Sequence, residues 1–119
     1  MRPEDVPVAE RLSAEGFHEL DTRMYRRSWP EPVLRPAARG ETWVARTLHL
    51  LRTDPGGSWV AEDESGILGV ATSFTRELMW CLATYAVRPG LQGQGIGKPL
   101  LDAAGLRARL EAWLSPVAA

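Results

Sequence analysis

Residues Arg88–Leu101 read RPGLQGQGIGKPLL, with four glycines (Gly90, Gly93, Gly95, Gly97) set among two glutamines. An apolar run, ELMWCLATYAV from Glu77 to Val87, leads into this stretch, and a helix-compatible segment leads out of it. The first turn of a helix carries N–H groups without intrahelical partners and a partial positive charge. Glycines at that place let a ligand reach the backbone with no Cβ in its path, so the spacing predicts an anion site. A pyrophosphate suits it best. Successive amides in a glycine-rich nest can each donate to a different oxygen, at about 1.5 to 3 kcal/mol per charge-assisted bond.

The run before the glycines sets the sheet. Alternation over Glu77–Val87 puts Met79, Cys81, Ala83, Tyr85 and Val87 on one face and Leu78, Trp80, Leu82 and Ala86 on the other. Both sets are apolar, so the strand requires cover on both sides. Two further strands precede it, Ser58–Asp63 (SWVAED) and Ile67–Thr75 (ILGVATSFT). The intervening Glu62–Gly66 (EDESG) has the acidic and glycine residues of a hairpin turn, which predicts antiparallel pairing. Helical spacing of Val8, Leu12, Phe17, Leu20 and Met24 predicts a helix over Asp5–Arg26, with Asp5 as N-cap, Pro7 in the first turn and Gly16 as a point of division. Ser28–Pro36 (SWPEPVLRP) predicts a loop, since its prolines remove amide donors and push the residues before them toward extended geometry. A second helix is expected over Glu41–Arg52, with Val44, Leu48 and Leu51 on one face, stopped by Thr53–Gly57 (TDPGG). The sum is an α+β fold, an antiparallel three-stranded meander with helices on both faces, in a single domain spanning 1–119.

Composition narrows the function. Hydrophobic residues at 45% and charged residues at 24% mark a globular chain, and no apolar run approaches the roughly 20 residues that span a bilayer, so no membrane partner is expected. The start, MRPEDVPVAERL, has no apolar core of signal-peptide type, and Cys81 is the single cysteine; both point to the cytoplasm. A net charge of −1 gives no electrostatic reason to expect nucleic acid, and RMYRR at Arg23–Arg27 reads as a solvated helix face.

Two phosphate loops fail against the letters. A Walker loop requires Gly, four residues and then Gly-Lys-Ser/Thr, but Pro99 follows Gly97-Lys98 and Gln92 stands where the first glycine would. A dinucleotide fingerprint requires Gly-x-Gly-x-x-Gly after a parallel crossover, whereas Gly93, Gly95 and Gly97 are spaced by two and follow a meander. The segment Gln92-Gly93-Gln94-Gly95-Ile96-Gly97 instead matches the pattern Gln/Arg-x-x-Gly-x-Gly/Ala. With its surroundings, YAVRPGLQGQGIGKPLLDAA from Tyr85 to Ala104, it resembles the acetyl-coenzyme A segment of the GCN5-related N-acetyltransferase (GNAT) superfamily. The likeness covers about Leu51–Ala104.

That resemblance implies an acetyl-CoA-dependent N-acetyltransferase, with acetyl-CoA as acyl donor, a small-molecule or peptide amine as acceptor, and no metal. It implies that the main-chain amides of Gln92, Gly93, Gln94, Gly95, Ile96, Gly97 and Lys98 hold the pyrophosphate. Tyr85 and Val87 flank the pantetheine arm, and an amide near Ala86 or Val87 polarises the acetyl carbonyl. The family pattern then continues through another strand, a helix and two more strands, whereas GLRARLEAWLSPVAA follows Ala104 here. Ile96, Leu100, Ala103, Leu106, Leu110 and Trp113 predict one helix reaching about Leu114. A helix beginning at Pro3–Asp5 likewise leaves little room for the family's first strand. The expectation is therefore a shortened GNAT domain with Tyr85–Val87 on a sheet edge, inviting a homodimer or a completing partner chain. The alternative is a non-catalytic CoA-binding or dimerisation module derived from an acetyltransferase.

Other residues carry less. Glu62, Asp63 and Glu64 read as turn acids, and Glu77 is a base candidate at the start of the central strand, with the catalytic base and acid left unassigned. Cys81 reads as packing, and His18 and His49 have no partner at ligand spacing. Trp29, Trp43, Trp59, Trp80 and Trp113 read mostly as core or substrate-side packing.

Overall fold

The computed structural model describes residues 1–106. A 3-10 turn at Pro3–Asp5 leads into α1 (Val6–Arg23) and α2 (Ala37–Thr53), and a second such turn, Pro55–Gly57, leads into the strands. These are β1 (Ser58–Asp63), β2 (Gly66–Arg76) and β3 (Met79–Val87), followed by α3 (Gly97–Ala103). The three strands pair antiparallel in the order β1-β2-β3, the meander that the hairpin signals imply. On one face α1 and α2 pack Val6, Leu12 and Trp43 against Ile67, Val70 and Ala86; on the other, α3 packs Leu100 and Ala104 against Ala71. The chain is thus α+β, with helices on both sides of the sheet.

The buried face of α1 differs from the one its large apolar residues suggest. Ala9, Leu12, Ser13 and Ala14 are buried, whereas Val8, Phe17, Leu20 and Met24 are exposed, so Leu12 alone is common to both. Small side chains let the helix axis approach the sheet. A Cβ at Gly16 would stand 3.6 Å from both Ala86 Cβ and the Val87 carbonyl oxygen, and the helix runs unbroken through this glycine rather than dividing there. Asp5 occupies the N-cap position of α1, as expected, but its side chain makes no cap hydrogen bond to the helix. Its buried carboxylate accepts from the main-chain N–H of Arg2 (2.8 Å) and from the Arg2 guanidinium (3.2 and 3.3 Å). Burial opposes its charge, but the hydrogen bonds and positive charge of Arg2 outweigh that and hold the carboxyl below the usual carboxylate range.

α2 begins at Ala37, earlier than the expected Glu41, because Pro36 supplies an extended residue at the helix start while its carbonyl accepts from the Gly40 N–H (3.0 Å). Trp43 is its buried anchor: the indole N–H donates to Thr84 Oγ1 (3.2 Å), and the Arg35 guanidinium lies 5.7 Å from the ring centroid. At the other end Asp54 ties α2 to β2, accepting from Arg76 Nη1 (2.8 Å), Thr75 N (3.1 Å) and Thr53 Oγ1 (2.6 Å).

β3 starts at Met79 rather than Glu77. Glu77 sits instead in the β2–β3 turn with φ at 54°, a left-handed conformation. Farther along, Thr72 pairs with Thr84 but Ser73 pairs with Leu82, which makes Ala83 the extra residue of a β-bulge. The bulge reverses the alternation halfway along the strand. Trp80 and Tyr85, expected on opposite faces, both turn toward α3: the Trp80 indole donates to the Ala104 carbonyl (3.1 Å), and Tyr85 packs against the cluster of Ala71, Leu100 and Ala104. α3 stops at Ala103, and Gly105 follows at φ 111° beside the Trp80 ring, so the helical stripe predicted to reach Leu114 is broken here. Leu110 and Trp113, the later members of that stripe, lie outside the described residues. Among the described residues no helix is long and apolar enough to cross a membrane.

Candidate functional site

The site begins where β3 ends. The Arg88 N–H donates to the Leu68 carbonyl (2.8 Å), which fixes the phase of the ladder at this end. Antiparallel pairing alternates inward and outward groups, so the N–H and C=O of Ala86 turn into the sheet opposite Val70, while those of Tyr85 and Val87 face the outer edge. No described strand covers that edge. The chain then turns through Leu91 N–H to the Arg88 carbonyl (3.0 Å), and the Gln92 side chain braces the turn. Its Oε1 accepts from Gly90 N (3.1 Å) and its Nε2 donates to the outward carbonyl of Val87 (3.2 Å).

Beyond this brace the backbone opens. Gly93 and Gly95 take φ values of 82° and 80°, and among the described residues nothing beyond their chain neighbours lies within 4 Å of where a Cβ would stand on either. Among the described residues, the N–H groups of Gly93, Gly95, Ile96 and Gly97 meet no protein acceptor in hydrogen-bond geometry. Gly97 is a glycine for a different reason, since a Cβ there would overlap the Tyr85 hydroxyl. Ile96 turns inward to pack against the cluster of Ala71, Leu100 and Ala104. Lys98 projects into solvent, its ammonium 3.9 Å from Asp102. The structure thus brings Tyr85, Ala86, Val87 and the loop from Gln92 to Lys98 together at one end of β3. Within the group, Ala86 is committed to the ladder and the Gln92 side chain to the turn.

Beside the loop lies a groove of about 250 Å³ whose one wall is Tyr85–Val87 with Gln92, and whose other is α1 from Gly16 to Arg23. Phe17, Glu19, Leu20 and Arg23 are the residues of this wall that sequence reasoning missed. Their signal was present: the small residues Ala9, Ser13 and Gly16 mark the face that meets the sheet, so the large apolar residues beyond them are left to line a cleft. Glu19 is half-exposed and its Oε1 is 3.8 Å from Arg23 Nη1, a long surface pair.

The other candidates lie elsewhere. Glu77 lies in the β2–β3 turn, at the opposite end of β3 from Val87 and this groove. Asp63 is spent on its own turn, accepting from the Ser65 hydroxyl (2.6 Å) and N–H (2.7 Å), and these bonds hold its carboxyl below the usual range. Glu62 is 3.8 Å from Arg2. His18 lines a separate cavity of about 310 Å³ with Asp21 and Arg35, and His49 is exposed. A cavity of about 400 Å³ between Trp80, Phe74 and Asp54 lies at the hairpin end of β3, remote from the glycine loop. Of the tryptophans expected in packing roles, Trp43 is buried and Trp80 half-buried, Trp29 and Trp59 are exposed, and Trp113 is outside the described residues.

An antiparallel meander whose third strand passes through a bulge into an open glycine loop and a covering helix is the arrangement of an acetyltransferase fold. Residues 54–118 match the family model described as the acetyltransferase (GNAT) domain, and the chain belongs to that family. Among solved structures it is similar to the crystal structure of ribosomal-protein-alanine N-acetyltransferase from Brucella melitensis, with a TM-score of 0.56 and 20% identity. The match covers 93% of this chain and 65% of that one. At this identity the likeness is one of fold. No curated protein sequence matches the chain.

Proposed function

We propose that the chain is an acetyl-CoA-dependent N-acetyltransferase that transfers an acetyl group to an amine. The observation that carries this is the set of N–H groups at Gly93, Gly95, Ile96 and Gly97, which meet no acceptor among the described residues and lie directly beyond the outward edge of Val87. On this reading the loop holds the diphosphate of the coenzyme and the pantetheine arm runs along the Tyr85–Val87 edge. The Val87 N–H, which faces outward, polarises the acetyl carbonyl; Ala86 does not, because its N–H belongs to the ladder. Family membership and the fold of the Brucella enzyme support the reading, and that enzyme's name, which specifies an alanine of a ribosomal protein, makes a peptide amine one acceptor to try. Calorimetric titration tests it. Acetyl-CoA is expected to bind one per chain, and Gly95→Val to weaken binding at least tenfold, since a β-branched residue at that φ costs more than the roughly 1–2 kcal/mol of an ordinary left-handed residue. Absence of binding by the wild-type chain would sink the proposal.

A second reading, a coenzyme-binding module that works as a dimer without turnover, is favoured by the character of the β3 edge. Leu78, Met79 and Leu82 are 90%, 57% and 40% exposed beside outward backbone groups without a described partner, an arrangement open to pairing with a second copy. Sedimentation velocity is expected to show a concentration-dependent dimer, and a short bis-maleimide to cross-link it through Cys81, the chain's single cysteine. A monomer that holds to high protein concentration removes this reading.

A further inference from the structure

Resting on the acetyltransferase reading, we propose that Glu19 is the general base that takes the proton of the acceptor amine. Glu19 lies on the α1 wall of the groove whose opposite wall is Tyr85–Val87, so it faces the edge along which the acyl donor would lie. Its side chain is 39% exposed, reachable from the groove, and the 3.8 Å separation from Arg23 leaves carboxylate lone pairs free to accept. Phe17 and Leu20 line the same groove and add apolar surface to it, and among the described residues Glu19 is its one acid, with Arg23 its one cation. The competing acids are disposed elsewhere: Glu77 by distance along β3, Asp63 by its bonds to Ser65, and Asp21 in the neighbouring cavities. A helix wall, rather than the strand, therefore supplies the proton acceptor.

The step balances. The amine nitrogen forms a C–N bond to the thioester carbonyl carbon, the C–S bond breaks, and its electron pair leaves on sulfur as the coenzyme thiolate. An acceptor that arrives as its ammonium ion sheds two protons: the first passes to the Glu19 carboxylate and frees the nitrogen lone pair for attack, and the second leaves the nitrogen as the C–N bond forms and reaches the thiolate through solvent. The acceptor class that follows is an amine arriving as its ammonium ion, drawn toward Glu19 before it is deprotonated.

The experiment compares wild type, Glu19→Gln and Glu19→Asp in two measurements: calorimetric titration with acetyl-CoA, and thiol release in the presence of n-butylamine, putrescine and trialanine. Glu19→Gln is expected to bind acetyl-CoA within about twofold of wild type while losing about 10²-fold or more in kcat, with Glu19→Asp retaining part of the activity. A Glu19→Gln variant whose kcat stays within a few-fold of wild type overturns the assignment. So does a loss of coenzyme binding in that variant, which would mark a structural role. A wild-type chain that binds acetyl-CoA but releases no thiol with any of the amines overturns the base while leaving the coenzyme site standing. A wild-type chain that binds no acetyl-CoA overturns the underlying reading itself.

Discussion

Gly97 and Tyr85 are fitted to each other across the start of α3. The absence of a side chain at Gly97 makes room for the Tyr85 hydroxyl, whereas Gly93 and Gly95 are glycines because of their backbone angles. Gly97→Ala is expected to force the phenol aside and to destabilise the fold by about 1–3 kcal/mol, read as a lower urea midpoint. Adding Tyr85→Phe removes the overlapping oxygen and should recover at least half of that loss. No recovery in the double variant would show that the two positions are not coupled in this way. In the sequence all of these glycines look alike, as room for an anion. Their separate roles were not legible because one depends on a side chain twelve residues upstream and the others on torsion angles.

Among the elements, the strands were the most legible and α1 the least. β1 was read to the residue, since acidic residues and a glycine bound it as a hairpin turn should. The helical spacing of large apolar residues in α1 marks the helix but not its buried face, because the crossing over β3 selects Ala9, Ser13 and Gly16 for being small. The join between α2 and β2 carries a pH signature. Hydrogen bonds from Thr53, Arg76 and Thr75 hold the Asp54 carboxyl at about 2 in the fold, against an ordinary value of 3.8. A carboxyl depressed in the folded state adds stability in full above its ordinary value and loses it as the pH falls from about 4 through 2. The stability difference between wild type and Asp54→Asn should therefore be larger at pH 6 than at pH 2.5 in urea titrations. A difference independent of pH would mean that the carboxylate contributes nothing through its charge.

At the scale of the whole molecule, the sheet divides two unequal cores: α1 and α2 cover one face with Trp43 as anchor, and α3 covers the other. That arrangement was legible because the apolar residues on both faces of β3 demand two covers, and the glycine loop fixes which helix follows. The bulge was not, because alternation of letters has no means of announcing a skipped partner. The chain spans 65% of the length of the Brucella enzyme, and the outer edge of β3 is where a further strand or a second chain would have to join. Because Ala83 resets the phase of β3, the aromatic rings of Trp80 and Tyr85 share a neighbour only while an odd number of steps separates them. Gaining or dropping one letter between them would swing one ring to the far side of the sheet. This strand should therefore accept changes of spelling much more readily than changes of length.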